Sequence, residues 1–271
     1  MTTNLRAYTS YFKIQIRTGL QYRTAALAGV CTQFFWGFMR IMVLEAFYAA
    51  TSVPAEFPVR EMVNYVWLQQ AFLAIINLYS RDQALFDMIT SGGIAYELTR
   101  PLNVYFFWFS KLVAKRLAGA ALRFAPIIAV AMCLPEPYRF HLPPTWASLG
   151  LFVLSLAMTL LLTTAIMMFV YILTVITLSP QGSMAILLIM GEFFSGMVIP
   201  IALMPKVVQN ILYCLPFHFT ADFPMRVFSG NIPPSQAAMG IAVQMLWVVV
   251  LMVGGAFAMR GILRRAVVQG G

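Results

Sequence analysis

Acidic charge is scarce in this chain. Nine Asp and Glu residues stand against eighteen Lys and Arg in 271 positions, and charged residues of both signs make up only 10%. A soluble domain carries about a quarter charged residues, so a soluble globule of this length is excluded. Cysteine is also sparse. Cys31, Cys133 and Cys214 share no metal-ligand spacing, which leaves them as small buried hydrophobes. His141 and His218 stand apart from each other and from convergent acids, and neither is assigned a ligand role. The chain has no H-E-x-x-H, no paired membrane aspartates and no G-x-S-x-G, which argues against an intramembrane enzyme. It also lacks G-x-x-x-x-G-K-[ST], so any nucleotide hydrolysis must come from a separate polypeptide.

What is present is apolar. Hydrophobic residues make up 61% and the mean hydropathy is +0.82. Together these values predict an all-α polytopic membrane protein built as one integral domain over residues 1–271. The net charge of +9 raises the question of nucleic acid. Basic residues scattered between hydrophobic stretches are explained more simply as topology determinants, and no nucleic-acid partner is expected. Arg6, Lys13, Arg17 and Arg23 precede any apolar core, so the first span itself is expected to act as the insertion signal.

Along the chain, residues 5–22 read as an interfacial helix. Leu5, Tyr8, Phe12, Ile16 and Leu20 fall on one face beside a stripe of Arg6, Lys13 and Arg17, which suits membrane lipids of the cytosolic leaflet. Spans are expected over 25–49, 62–79, 117–134, 146–178, 183–199 and 237–259. Pro135, Pro137, Pro143 and Pro144 mark one outer turn. Residues 200–236, rich in proline and aromatics, read as an extracytoplasmic re-entrant segment with a short helix over 204–213. Twelve basic residues fall in the inner segments against Arg60, Arg139, Lys206 and Arg226 outside, which places both termini in the cytosol.

Between the second and third spans lies a polar, turn-punctuated loop, residues 80–102. Residues 82–91 can form a helix capped by Ser80, with Leu85, Met88 and Ile89 as an apolar patch flanked by Asp87 and Thr90. Gly92-Gly93 ends it, and Pro101 stops a second short segment at Arg100. The stretch Ile89-Thr90-Ser91-Gly92-Gly93-Ile94-Ala95-Tyr96-Glu97-Leu98-Thr99-Arg100-Pro101-Leu102 resembles the corresponding loop of the permease subunits of type-2 ABC exporters. Phe194-Ser195-Gly196-Met197-Val198-Ile199-Pro200, Met204-Pro205, Leu215-Pro216-Phe217, Pro224 and Phe228-Ser229-Gly230 are similar to that family's outward-facing segment before the last span.

The resemblance implies a membrane-spanning subunit in the bacterial plasma (inner) membrane. It would pair with a second permease, as a homo- or heterodimer, and with an ABC ATPase subunit that binds ATP-Mg. No cofactor is expected on this chain. Asp82, Leu85, Phe86, Asp87, Met88, Ile89 and Arg100 are the residues expected to couple to the ATPase. An amphipathic or hydrophobic cargo, such as a drug, lipid, glycolipid or peptide, would move outward.

Charges inside spans are costly and invite functional readings. Arg40 and Glu192 both fall near mid-span, where an ion pair between them would offset part of the burial penalty, whereas Glu45 is expected near the outer surface and Arg123 within reach of the inner headgroups. Phe193, Phe194 and Met197, with first-span aromatics, are the candidate substrate path or interface. The competing reading is a secondary transporter or channel using Arg40, Glu45, Arg123 and Glu192 as a charge relay.

Overall fold

A computed structural model of the chain describes residues 2–21, 23–50, 58–99 and 101–264. Its elements are helices: α1 (Thr2–Gln21), α2 (Arg23–Ala50), α3 (Val59–Ala71), α4 (Leu73–Ile76), α5 (Gln83–Thr90), α6 (Ile94–Leu98), α7 (Val104–Met132), α8 (Trp146–Thr177), α9 (Pro180–Phe194), α10 (Lys206–Tyr213), α11 (Asp222–Ser229) and α12 (Pro234–Leu263). Side chains set several of the starts. Asp82, Asn103, Thr145 and Ser179 each accept a backbone N–H as N-caps, and Pro180 and Pro234 open α9 and α12 where a missing N–H costs nothing.

Among the described residues α2, α8 and α12 are long and apolar enough to cross a membrane by length and composition. The remaining expected spans correspond to α3 with α4, to α7, which runs unbroken from Val104 instead of starting at 117, and to α9. The second does not run on to Tyr79. Helix α3 stops at Ala71, α4 adds one turn, and Asn77 is extended. The carbonyls freed there are taken up by side chains: Arg116 Nη1 donates to Ala74 O, Ile75 O and Asn77 O at 3.3, 3.0 and 2.8 Å, and Thr163 Oγ1 to Ile75 O at 2.9 Å. A broken helix in hydrocarbon needs such partners, since water cannot serve its backbone.

The fifth expected span is shorter than its apolar run. Helix α9 has 15 residues and ends at Phe194, not at Ile199. That is about 22 Å at 1.5 Å per residue, less than the roughly 30 Å of a hydrocarbon core. Gly196 (φ 77°) then turns the chain, and its carbonyl accepts from Tyr65 Oη at 2.8 Å and Gln69 Nε2 at 3.3 Å. A Cβ at Gly196 would meet Tyr65 Oη at 2.8 Å, so both conformation and space call for glycine.

The segment between α9 and α12 folds back onto α3. Asp222 is fully buried and receives Ile201 N on Oδ1, while Oδ2 lies 3.4 Å from Arg226 Nη1. Arg226 also donates to Tyr213 Oη and Asn231 Oδ1, both at 2.7 Å, and Asn231 Nδ2 reaches Glu61 Oε2 at 3.1 Å. A second knot ties it to α8 and α12. The Gln244 side-chain amide donates to Ser155 O, Thr159 Oγ1 and Phe219 O within 3.0–3.2 Å, and Ser155 Oγ donates back to its Oε1.

Helix α1 is packed against the bundle. Its half-buried face lies along the first half of α7, in the same direction: Asn103 N donates to Tyr8 Oη at 3.1 Å, the Tyr11 and Phe107 rings are 4.4 Å apart, and a Cβ at Gly19 would come 2.6 Å from Ala118 Cβ. Arg6, Lys13 and Arg17 stay exposed. The cysteines are another correction: Cys31, Cys133 and Cys214 are free and exposed, because apolar side chains of this chain cover its surface as well as its core. His141 does have a partner, Glu136 Oε1 at 3.0 Å from Nε2.

Candidate functional site: an anchored loop helix and a charged cavity

The helix of the polar loop is capped by Asp82, not by Ser80. Asp82 Oδ1 accepts Leu85 N at 3.3 Å, and its Oδ2 stands 3.3 Å from Lys111 Nζ and 3.5 Å from Lys115 Nζ. Its backbone N–H donates to Tyr171 Oη at 2.7 Å. One buried aspartate therefore starts α5 and fastens it to both α7 and α8.

Leu85, Phe86 and Ile89 are turned inward, 1%, 1% and 3% exposed, with the Phe86 ring 4.7 Å from that of Tyr171. Burial of each such side chain is worth roughly 1.5–3 kcal/mol, so these residues hold the helix down. Met88 is half-buried, and the free face consists of Gln83, Ala84, Asp87 and Thr90, with Gln83 Nε2 donating to Asp87 Oδ1 at 2.9 Å. Gly92 (φ 76°) makes the turn into α6, where Tyr96 is 78% exposed. Arg100 lies outside the described residues.

A cavity of about 510 Å³ lies between α2, α3–α4, α7 and α9, with Arg40, Arg123, Glu192 and Met197 among its lining. Arg40 and Glu192 share this cavity without a direct ion pair, because Arg40 Nη1 donates instead to Gln69 Oε1 at 3.0 Å. Arg123 lies against α2. Its guanidinium lies over Gly29 of α2, where an added Cβ would be 3.2 Å from Cζ. Glu45 is away from the cavity, accepting from Tyr138 Oη at 3.5 Å, so the four charges of the relay reading do not form one line. Of the aromatic path, Trp36 lines the cavity, Phe193 is 53% exposed, and Phe194 packs edge-on against Phe217 at 5.9 Å.

A family model described as ABC-2 family transporter protein matches residues 34–270. The chain belongs to this family. It is the membrane component of an ABC transporter, a permease without an ATP site of its own. No curated protein and no solved structure matches it.

Two buried polar groups of the permease carry no signal in its sequence. Arg116 was grouped with the topology charges, yet it is 2% exposed and serves the broken end of α3–α4. Asp222 and Glu61 drew no attention, since a lone acid beside a proline-rich run carries no local signal of its partner. In that cluster, burial lowers the His218 pKa, and the ring Nδ1 sits 2.8 Å from Leu215 O. Burial also acts to lower the Arg226 pKa, but Asp222 and Tyr213 outweigh it and leave it raised.

Proposed function

We propose that this permease is the membrane half of an ATP-driven exporter in the bacterial inner membrane, with six spans and both termini in the cytosol. Two such subunits, identical or closely related, work with two ATPase subunits that bind ATP-Mg and dock on the loop of residues 80–102. An amphipathic or hydrophobic cargo moves outward. The observation that carries the reading is the build of α5: a short helix with a polar free face, pinned through Asp82 to two long helices at once. An ordinary connecting loop has no need of a buried ion pair and three buried apolar anchors.

Docking is assigned to Gln83, Ala84, Asp87, Thr90 and Tyr96. Co-purification of the tagged permease from its own cells tests the reading. A soluble partner carrying a phosphate loop is expected, and its reproducible absence overturns the assignment.

A further inference from the structure

Gln33 of α2 is 4% exposed, and neither its Oε1 nor its Nε2 has a hydrogen-bond partner. A buried, unpaired amide costs about 1–3 kcal/mol, so native proteins rarely leave one without a reason. Gln33 lines the 510 Å³ cavity beside Arg40 and Arg123, and Arg123 has no hydrogen-bond or ion-pair partner among the described residues, its buried Nε included. Against these two cations the lining offers one acid, Glu192. Two guanidiniums in a low-dielectric setting with one carboxylate between them leave a positive charge to be balanced.

Trp36, Leu73 and Met197 give the lining its apolar surface, and Thr32, Gln70 and Asn77 add neutral polar groups. A second cavity of about 360 Å³ shares Leu73, Asn77 and Arg123 with the first and extends to Ser80 and Lys115 beside the loop. The two cavities adjoin at the shared residues, with Arg40 on one side and Lys115 and Arg116 on the other.

We infer that this cavity binds the anionic oxygen headgroup, phosphate, sulfate or carboxylate, of an amphiphile. Arg123 and Arg40 supply the charge, the Gln33 amide donates to a headgroup oxygen, and Trp36, Leu73 and Met197 cover the first methylenes. The inference rests on the permease reading and narrows its cargo to anionic amphiphiles. A cationic drug is disfavoured by the two arginines, and a wholly apolar one leaves Gln33 unpaired.

Native mass spectrometry of the full chain in dodecyl maltoside counts bound dodecyl phosphate directly, with no ATPase present. Saturable binding is expected, weakened about tenfold or more by Arg123→Gln or Gln33→Leu and tightened several-fold by Glu192→Gln. Dodecyltrimethylammonium binding as well as dodecyl phosphate overturns the inference, as does unchanged binding in the variants. Inorganic phosphate displacing dodecyl phosphate at equal concentration identifies a free-anion site and overturns the amphiphile. Size-exclusion elution checks folding. Arg123 and Gln33 make no hydrogen bond or ion pair among the described residues, so their loss breaks none, and Glu192→Gln provides a test of opposite sign. Failure here leaves ATPase co-purification intact, and failure of co-purification leaves this binding intact, so the two are told apart.

Discussion

Leu178 adopts φ 53° at the end of α8, in the left-handed region, immediately before the Ser179 cap and Pro180 of α9. A branched side chain there is strained by about 1–2 kcal/mol, and Leu178 is 56% exposed, so little burial offsets the cost. Leu178→Gly is expected to stabilise the fold by about 1 kcal/mol, seen as a higher thermal midpoint in detergent by near-ultraviolet circular dichroism. His218 gives a pH dependence of known sign. Its folded pKa is lowered by burial, so below about pH 6.5 the unfolded chain binds more protons than the folded one. Stability contributed by the neutral ring is complete above that pH and is lost as pH falls towards the folded pKa. The midpoint measured from pH 8 to pH 5 should therefore fall more for the native chain than for His218→Asn, which does not titrate.

Helix α5 separates residues that hold from residues that meet a partner. Leu85→Asp places a carboxylate in the space now filled against α7 and α8, and should cost several kcal/mol of stability, seen as a lower midpoint or loss of the monodisperse peak. Asp87→Arg changes only the free face. It should leave the midpoint within about 0.5 kcal/mol while weakening recovery of the ATPase in the co-purification assay. Equal recovery with Asp87→Arg would remove the free face from the docking surface. The polar loop, its Gly92 turn and its short helix were legible from turn residues and periodicity. Which side of α5 faces inward was not, because Leu85 and Ile89 look the same to a periodicity argument whether they cover α8 or a second protein. The caps differ for a similar reason: Ser80 and Asp82 are both good N-caps, and only the lysines of α7, brought close by folding, favour Asp82.

For the molecule as a whole, apolar runs located α2, α8 and α12 closely, since long uninterrupted helices are set by composition alone. The same runs misled at α3–α4 and α9. Hydropathy continues past Ala71 and Phe194, but Arg116, Thr163, Tyr65 and Gln69 satisfy the backbone where the helices stop, and those partners come from 40 or more residues away in sequence or from across the bundle. The orientation has a direct check. Cys133 ends α7 on the side of the loop of residues 133–145, while Asp87 lies at the opposite end of the bundle. In intact spheroplasts a membrane-impermeant maleimide should label Cys133 in a chain with Cys31→Ser and Cys214→Ser, whereas Asp87→Cys in a chain with all three natural cysteines changed to serine should label only after permeabilisation. The reverse pattern would invert the proposed topology.

The fastening of α5 has a mechanical consequence. A short rod pinned at its first residue by two lysines and a tyrosine, and packed along one side at interior density, has almost no free play. Displacement applied at Asp87 cannot be absorbed by rocking of the rod alone. On the proposed docking it would pass to α7 and α8, and Arg116 of α7, bonded to the carbonyl of Asn77 on the wall of the charged cavity, would carry it there.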